Sequence, residues 1–335
     1  MIEAGEGTFA YHGGAVDVAR RLFPQAPLPW IDLSTGVNPH AYPLPELDRE
    51  DWTRLPEAKA LFELEAAASF RYGVMAPEIV VAGPGSQALI QAMARLAPKG
   101  KVGILGKSYG GHVEAFRAAG REIAEVKWLP DLADFKVAIV VNPNNPDGFI
   151  STVDDLLDLH ERLDRKRGLL IVDEAFADFD SGETFLQDLP AYGAVVLRSF
   201  GKSYGLAGLR LGFAIPGQDF VAPLRAALGP WPVSGPAIAI GTRALSDLDW
   251  SDSMGERLGQ EKARLDALLT SCGWEIVGGT RLFRLAARPD AAAAFRRLAE
   301  AGILTRPLPW APDQLRFGIP ADEKSWARLA AALGG

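Results

Sequence analysis

Short apolar runs alternate with helix-like segments between about residue 75 and residue 215 of this chain. The runs are continuous, which is typical of strands buried on both faces of a parallel sheet. Crossover helices between such strands produce an α/β fold. We therefore predict a large domain with a mostly parallel sheet and flanking helices. The predicted strands are 101–105, 137–141, 169–172, 194–197 and 209–215, and the clearest helices are 86–96 and 152–166.

The pattern changes after Pro236, where short strands mix with helices and predict a smaller α+β domain. Near the N-terminus, one short helix at 15–23 precedes a proline-rich connector, which predicts an arm. The C-terminal prediction is a helix at 257–269, strands at 274–277 and 281–285, a helix at 291–301, two further strands and a closing helix from 323. The predicted borders are an arm at 1–30, a large domain at 31–230 and a small C-terminal domain at 231–335.

Composition excludes several classes of function. The net charge is −7 with both signs interspersed, which argues against nucleic-acid binding. The N-terminus has no basic and apolar signal-peptide pattern, and no apolar stretch is long enough to span a bilayer. The single cysteine and four histidines lack metal-ligand spacing, so no metal site is predicted. We expect a cytoplasmic protein that binds a small molecule.

Polar clusters follow three of the predicted strands: residues 142–148, the pair Asp173 and Glu174, and the loop around Lys202. In an open parallel sheet, ligands bind beyond the carboxyl ends of the strands. A lysine at such an end can form a covalent bond with a carbonyl group, and Ser199 and Arg210 can hold a phosphate beside it. A single lysine in a glycine-rich turn is usually a surface residue, but three clusters together favour a cofactor site.

A glycine loop at 83–87 opens a predicted helix and offers backbone amides to a phosphate. A nucleotide triphosphatase is excluded, although residues 169–174 look like a Walker B strand and Gly-Lys-Ser occurs at 106–108 and 201–203. A P-loop also needs a glycine five residues before the Gly-Lys-Ser glycine. Lys101 and Val196 occupy those positions.

The order of glycine loop, Asn-Pro-Asn-Asn-Pro-x-Gly, Asp-Glu-Ala-Phe and Ser-Phe-Gly-Lys resembles the aspartate aminotransferase superfamily over most of the chain. These are fold-type I enzymes that use pyridoxal 5′-phosphate (PLP). The resemblance implies two catalytic residues, Lys202 to bind the cofactor covalently and Asp173 to pair with its ring nitrogen. Further cofactor contacts are implied for Gly85, Ser86, Tyr109, Asn145, Ser199 and Arg210.

Some of these residues also have a plainer explanation. Asn145 is a typical turn residue, and Asp173 can cap the turn after its strand. Tyr109, which would stack on the cofactor ring, can be a core aromatic at a helix start. Lys107 stands where relatives usually have an uncharged residue before this aromatic.

Three features are similar to the threonine-phosphate decarboxylases of cobalamin biosynthesis: His-Gly-Gly at 12–14, the segment 32–39, and Phe176 where many relatives have tyrosine. This similarity implies PLP-dependent decarboxylation of L-threonine O-3-phosphate to (R)-1-amino-2-propanol O-2-phosphate. The substrate is a small phosphorylated amino acid. Its phosphate and carboxylate are expected to contact His12, Asn38, Arg306 and Arg316, although Arg316 can instead form a structural ion pair.

Two other functions stay open. A histidinol-phosphate-type aminotransferase shares nearly all cofactor motifs, and a non-catalytic scaffold in corrinoid assembly would not need Lys202. The superfamily's sites form between subunits, so the resemblance also implies a homodimer. Leu55 stands where many relatives place a tyrosine that reaches the neighbouring subunit's cofactor, and it leaves that one contact in question.

Overall fold

The computed structural model describes residues 13–179 and 184–334. Within them, no helix has the length and apolarity that crossing a membrane requires. In chain order the described helices are α1 Val16–Leu22, α2 Arg49–Thr53, α3 Ala58–Arg71, α4 Ser86–Leu96, α5 Gly110–Ala118, α6 Val153–Asp164, α7 Phe200–Ser203, α8 Gln218–Leu228, α9 Gly235–Ser246, α10 Leu248–Ser271, α11 Ala291–Glu300 and α12 Glu323–Gly334.

The described strands are β1 Ile31–Asp32, β2 Val81–Gly83, β3 Val102–Leu105, β4 Ile123–Val126, β5 Val137–Val141, β6 Leu169–Asp173, β7 Ala194–Arg198, β8 Gly212–Pro216, β9 Glu275–Gly279, β10 Phe283–Ala287, β11 Ile303–Leu304, β12 Arg306–Leu308 and β13 Ala311–Gly318. The described residues form two compact units. The larger unit comprises 41–145 and 149–252, and the second comprises 13–40, 146–148 and 253–334. The domain borders predicted at residues 30 and 230 stay predictions.

The larger unit is built on a seven-stranded sheet with the order β2-β8-β7-β6-β5-β3-β4. Strands β7, β6, β5, β3 and β4 pair in parallel, whereas β8 runs antiparallel to both β2 and β7. The prediction of a mostly parallel sheet is confirmed. The carboxyl ends of β3, β5, β6 and β7 therefore lie along one edge, which is where the polar clusters follow.

Both faces of this sheet are covered by apolar side chains. Ala138 and Val140 of β5 join one buried cluster, while Val137 and Ile139 join another on the opposite face. The same alternation holds along β6 and β7. Successive strand residues point to opposite faces, so burial on both sides requires continuous apolar runs.

Local signals set the bounds of the crossover helices. Thr152 caps α6 by accepting a hydrogen bond from the backbone N–H of Asp155 at 3.2 Å. Acidic residues in the first turn of α6, Asp154 and Asp155, complement the helix dipole. Helix α4 begins after Gly85, which has φ +87°, and its bounds match the predicted 86–96.

Strand β8 begins at Gly212, three residues later than predicted. Residues 207–209 form a 3-10 turn, and Arg210 adopts a left-handed conformation with φ +56°. This backbone cannot continue a strand, because extended residues have negative φ. The prediction also missed β2 and β4, which are only three and four residues long.

The second unit contains a four-stranded antiparallel sheet in the order β12-β13-β10-β9 and a short parallel pair of β1 with β11. Its core includes Ala19 of α1, Trp274, Phe317 and Leu329 of α12, all buried. The predicted α+β character of this region is observed, with three strands after α11 instead of two.

Candidate active site

Lys202 lies on the four-residue helix α7, just beyond the end of β7. Its Nζ is 4.1 Å from the ring centroid of Phe176 and 5.7 Å from that of Tyr109. Phe176 follows β6, and Tyr109 follows β3, so three strand ends converge on one amine. Both distances lie within the range of a cation–π interaction.

Asp173, the last residue of β6, is buried and accepts two hydrogen bonds. Its Oδ2 lies 2.7 Å from Nε2 of His112, and its Oδ1 accepts the backbone N–H of Ala175 at 3.1 Å. Burial acts to raise the pKa of Asp173, but the hydrogen bond and charge of His112, the charge of Lys202 and the Ala175 N–H together bring it below the ordinary value. The carboxyl group is therefore ionised, and a carboxylate only accepts, so His112 Nε2 carries the proton.

His112 is a site residue that the sequence did not reveal. It is fully buried and lies three residues after Tyr109, with the two rings edge to face at 6.1 Å. Residues three apart in a helix share a face. The histidine could have been found by asking which polar side chain lies one turn beyond the candidate stacking aromatic.

Tyr109 is fixed by a hydrogen bond to the glycine loop. Its hydroxyl donates to Oε1 of Gln87 at 2.8 Å, and Gln87 lies in the first turn of α4. A side chain at Gly111 would collide with the Tyr109 ring, so glycine at this position lets the ring pack against the start of α5. Gln87 is a second residue whose role the sequence did not reveal.

The Asn-Pro-Asn-Asn loop is joined to the loop after β3 by Asn144. Ser108 Oγ donates to Asn144 Oδ1 at 2.7 Å, and Asn144 Nδ2 donates to the carbonyl of Lys107 at 3.0 Å. Asn145, the predicted cofactor contact, is buried beside it with 4% exposure. The amide of Asn144 thus uses both its acceptor and its donors to hold two strand ends together.

The glycine loop and Arg210 form one cradle. A Cβ at Gly85 would lie 2.8 Å from the guanidinium Nη2 of Arg210, and a Cβ at Gly212 would lie 2.5 Å from the backbone N of Ser86. The antiparallel pairing of β2 with β8 brings these segments together. Helix α4 has no side-chain cap at Gly85, so its first amides and Arg210 present donors to an anion.

Helix α7 is held from behind by stacked aromatic rings. Phe200 stacks on Tyr204 with a centroid distance of 4.3 Å, and Tyr204 stacks on Trp250 at 5.3 Å. Ser199 is buried at the N-terminus of α7. The stack fixes the helix from which Lys202 extends.

The second unit holds the candidate substrate residues Arg306 and Arg316. They lie opposite each other in the β12–β13 ladder, and both are buried. Arg316 donates to the carbonyl of Ser34 at 2.6 Å and lies 4.8 Å from the ring centroid of Phe283. Burial and the charge of Arg306 lower the pKa of Arg316 well below its ordinary value, against the opposing charge of Asp32.

Asn38 and the glycines after His12 belong to the same unit. Asn38 is buried, and its Oδ1 accepts the backbone N–H of His40 at 2.9 Å. The backbone N–H of Gly14 donates to Ser34 Oγ at 2.8 Å, and a Cβ at Gly13 would collide with the Ser34 carbonyl. His12 itself lies outside the described residues.

Comparison with known proteins gives consistent matches along the chain. A family model described as aminotransferase class I and II matches residues 29–333. The chain is 44% identical to a threonine-phosphate decarboxylase from Pseudomonas aeruginosa, over 97% of each chain. It is 39% identical to a threonine-phosphate decarboxylase from a Sinorhizobium species, over 96% of this chain and 97% of the relative.

Solved structures share the fold at lower identity. The histidinol-phosphate aminotransferase from Sinorhizobium meliloti, determined in complex with pyridoxal-5′-phosphate, superposes with a TM-score of 0.81. It covers 95% of this chain and 93% of its own, at 18% identity. This likeness concerns the fold alone.

Proposed function

Because the chain belongs to the aminotransferase class I and II family, we propose that it is a PLP-dependent decarboxylase of L-threonine O-3-phosphate. The products are carbon dioxide and (R)-1-amino-2-propanol O-2-phosphate, a building block of cobalamin. The observation that carries this proposal is the 44% identity to a threonine-phosphate decarboxylase over nearly the whole chain. The expected fold-type I class and the expected cofactor class are confirmed by the family.

The larger unit offers groups that fit each part of PLP. Arg210 and the uncapped start of α4 would hold the phosphate, since both present donors at a position where glycine leaves room. The ionised carboxylate of Asp173 would pair with the protonated ring nitrogen. Tyr109 would cover the ring, Asn145 would contact the phenolic oxygen, and Lys202 would bind the aldehyde carbon.

When bound, PLP accepts the electrons of whichever Cα bond stands perpendicular to its ring. The protein therefore selects the reaction by orienting the substrate. Arg316 would hold the substrate carboxylate through a bidentate contact, and Arg306, Asn38 and His12 would hold the phosphate or support it. Lys202 would then deliver a proton to Cα in place of the departed carbon dioxide.

The arginine pair supports an anionic substrate on physical grounds. Two buried guanidinium groups on opposite positions of a ladder repel each other, and burial together with this repulsion lowers the pKa of Arg316. An anion that contacts them offsets that repulsion. Threonine phosphate supplies both a carboxylate and a phosphate.

The test is incubation of the PLP-loaded protein with L-threonine O-3-phosphate, with carbon dioxide and pyridoxamine phosphate measured together. Stoichiometric carbon dioxide without pyridoxamine phosphate is the expected result. The runner-up, a histidinol-phosphate-type aminotransferase, predicts pyridoxamine phosphate without carbon dioxide when histidinol phosphate is added alone, and recovery of PLP when a 2-oxoacid acceptor is then supplied. PLP binding without turnover of either substrate would contradict both enzyme functions and favour a scaffold.

We also propose a homodimer with a cytoplasmic location. An apolar surface of the larger unit, defined by Leu44, Trp52, Leu55 and Trp231, is exposed and borders two cavities of about 500 and 570 Å³. Contiguous exposed apolar patches of this kind mark protein interfaces, and a second copy is the proposed partner. Light scattering should give twice the chain mass of 36.0 kDa, and Trp52→Lys should give a single chain mass. A monomeric wild type would contradict the proposal.

A further inference from the structure

A buried ion pair lies directly behind the ends of β6 and β7. Glu174 follows Asp173 in the chain, and Arg198 precedes Ser199. Because successive residues at a strand end point to opposite faces, Glu174 and Arg198 share the face away from Asp173 and Ser199. Their side chains are 1% and 5% exposed.

Four side chains make up this cluster, which we call the strand-end clamp: Glu174, Asp178, Thr184 and Arg198. Arg198 contacts Glu174 Oε2 at 2.8 Å and Asp178 Oδ1 at 2.7 Å. The Thr184 hydroxyl donates to Glu174 Oε2 at 2.6 Å and accepts from Arg198 Nη2 at 2.8 Å. Glu174 also accepts the backbone N–H of Phe185 at 2.8 Å.

The clamp places one guanidinium between two carboxylates, and the charge of Arg71 also acts on Asp178. Burial acts to lower the pKa of Arg198, but the charges of Glu174 and Asp178 outweigh it and raise that pKa above its ordinary value. The guanidinium also lies 4.9 Å from the ring centroid of Tyr72. Removing one partner of such a buried pair leaves an uncompensated charge, so the geometry of the pair is strongly enforced.

The clamp lies where the backbone ladder between β6 and β7 stops. The last paired residues are Asp173 and Leu197, and one more bond joins the Glu174 N–H to the Leu197 carbonyl at 2.9 Å. Beyond this point the β6 segment leaves the sheet after Asp173, and β7 ends after Arg198, which still pairs with Phe213 of β8. The ion pair between Glu174 and Arg198 joins the two segments beyond their last backbone hydrogen bond.

We propose that Glu174 and Arg198 are positioning residues for PLP, which fix the separation between the Asp173 carboxylate and the Lys202 amine. The inference rests on the PLP binding of the proposed function and not on which substrate bond breaks. A correctly spaced carboxylate and amine can contact the cofactor's ring nitrogen and aldehyde carbon at the same time. Loosening the clamp would misplace one relative to the other and weaken the cofactor's binding.

A merely structural role would affect stability alone, so the test needs a control with a comparable loss. Arg284 and Asp266 form another ion pair, at 2.5 Å, in the unit that holds none of the proposed PLP contacts. Asp266→Asn removes the charge from that pair in the same way that Glu174→Gln removes it from the clamp. Thr184→Val is a milder change to the clamp that keeps both charges, and Thr184→Ser retains the hydroxyl.

The experiment measures the thermal midpoint, the PLP dissociation constant by equilibrium dialysis, and the pH titration of the absorbance of bound PLP. We expect Glu174→Gln and Thr184→Val to weaken PLP binding by about tenfold and to shift the titration midpoint. Asp266→Asn should leave PLP binding and the titration midpoint unchanged, and Thr184→Ser should match the wild type in both. The proposal is overturned if the clamp variants lose stability like Asp266→Asn but keep wild-type PLP binding and titration.

Should Glu174→Gln fail to fold, Thr184→Val and Thr184→Ser decide the question by the same measurements. Failure of the proposed decarboxylation is a separate result. It would appear as wild-type protein that binds PLP normally and releases no carbon dioxide from threonine phosphate, with the clamp variants still weakened in PLP binding.

Discussion

Buried charge is favoured at the strand ends of the larger unit but disfavoured at the arginine pair of the second unit. Asp173 accepts a hydrogen bond from His112 and interacts with the charge of Lys202, and its pKa is lowered despite its burial. Arg316 has another arginine as its ladder partner, and its pKa falls well below the ordinary value. Protein groups therefore favour the charged form of Asp173, whereas burial and Arg306 disfavour the charged form of Arg316 more than Asp32 favours it, which suits the anionic substrate proposed for this region. We call the first region preorganised and the second ligand-dependent.

The most severe test on the preorganised side is Lys202→Ala. We expect the decarboxylation rate to fall about 10⁴-fold, the upper end of the effect of a positioned proton donor, and the absorbance of lysine-bound PLP to disappear. Lys59→Ala is the control, because Lys59 is exposed and its pairing with Glu63 at 3.7 Å is a surface contact. An alanine variant that kept the lysine-bound absorbance would remove Lys202 from the mechanism.

Arg316→Met tests the ligand-dependent side. We expect the KM for threonine phosphate to rise at least about thirtyfold, which corresponds to about 2 kcal/mol for a truncated buried charge contact. The free energy of unfolding should change by less than about 1 kcal/mol, because the lost hydrogen bond to Ser34 is offset by relief of repulsion from Arg306.

Arg284→Met provides the matched control for that variant. Arg284 is also buried in the antiparallel sheet, where it forms an ion pair with Asp266. Its loss should lower the free energy of unfolding by about 1.5–3 kcal/mol and leave KM unchanged. If both variants destabilised the protein equally and neither changed KM, the proposed role of Arg316 in binding the substrate would be wrong.

His112→Phe sharpens the comparison by removing the hydrogen bond that His112 makes to Asp173. We expect kcat to fall about tenfold to hundredfold, because a hydrogen bond to a charged group contributes about 1.5–3 kcal/mol. His160→Phe is the control, since His160 is another buried histidine and contacts the carbonyl of Tyr192 at 2.9 Å. An equal loss of kcat in both variants would show a general packing effect.

The same substitution should change how the free energy of unfolding depends on pH in the acid range. The native pKa of Asp173 is lowered, so its stabilising contribution is present above the ordinary value of 3.8 and is lost as the pH falls through the native pKa. In His112→Phe the native pKa of Asp173 rises, so its stabilising contribution begins to be lost at a higher pH. Urea unfolding followed from neutral pH to below 3.8 measures this shift, and coincident curves for variant and wild type would contradict it.

Tyr109→Phe is expected to have the smallest effect. It removes only the hydroxyl that donates to Gln87, so PLP affinity should fall about fivefold, or about 1 kcal/mol. Tyr192→Phe serves as control because its exposed hydroxyl makes a long contact of 3.4 Å with Gln218. A loss of PLP binding as large as that expected for the clamp variants would mean that the hydroxyl does more than hold the ring.

Sequence predicted the parts of this molecule that depend on local patterns. Continuous apolar runs located β5, β6 and β7, because a strand buried on both faces needs apolar residues at every position. Once these strands were known, Asp173 and Lys202 had to lie at one edge of the sheet. The predicted roles of individual site residues stay predictions until they are tested.

Contacts that depend on tertiary structure did not appear in the sequence. His112 reaches Asp173 only because α5 starts beside the end of β6, and no spacing between the two residues encodes that. The opposition of Arg306 and Arg316 depends on an antiparallel register that shifts between Pro307 and Leu308. Neighbouring residues set strands, whereas register and helix placement are set by packing across the whole unit.

The position of β2 has a consequence for the order in which this protein becomes functional. Strand β2 lies at an edge of the sheet and pairs with β8, which is synthesised long after it. During synthesis and during refolding, the glycine loop therefore contacts Arg210 only after the late strand β8 has docked. Because such non-local pairing is slow to form, cofactor capture should accompany the last steps of assembly. The appearance of PLP absorbance would then measure when folding of the larger unit is complete.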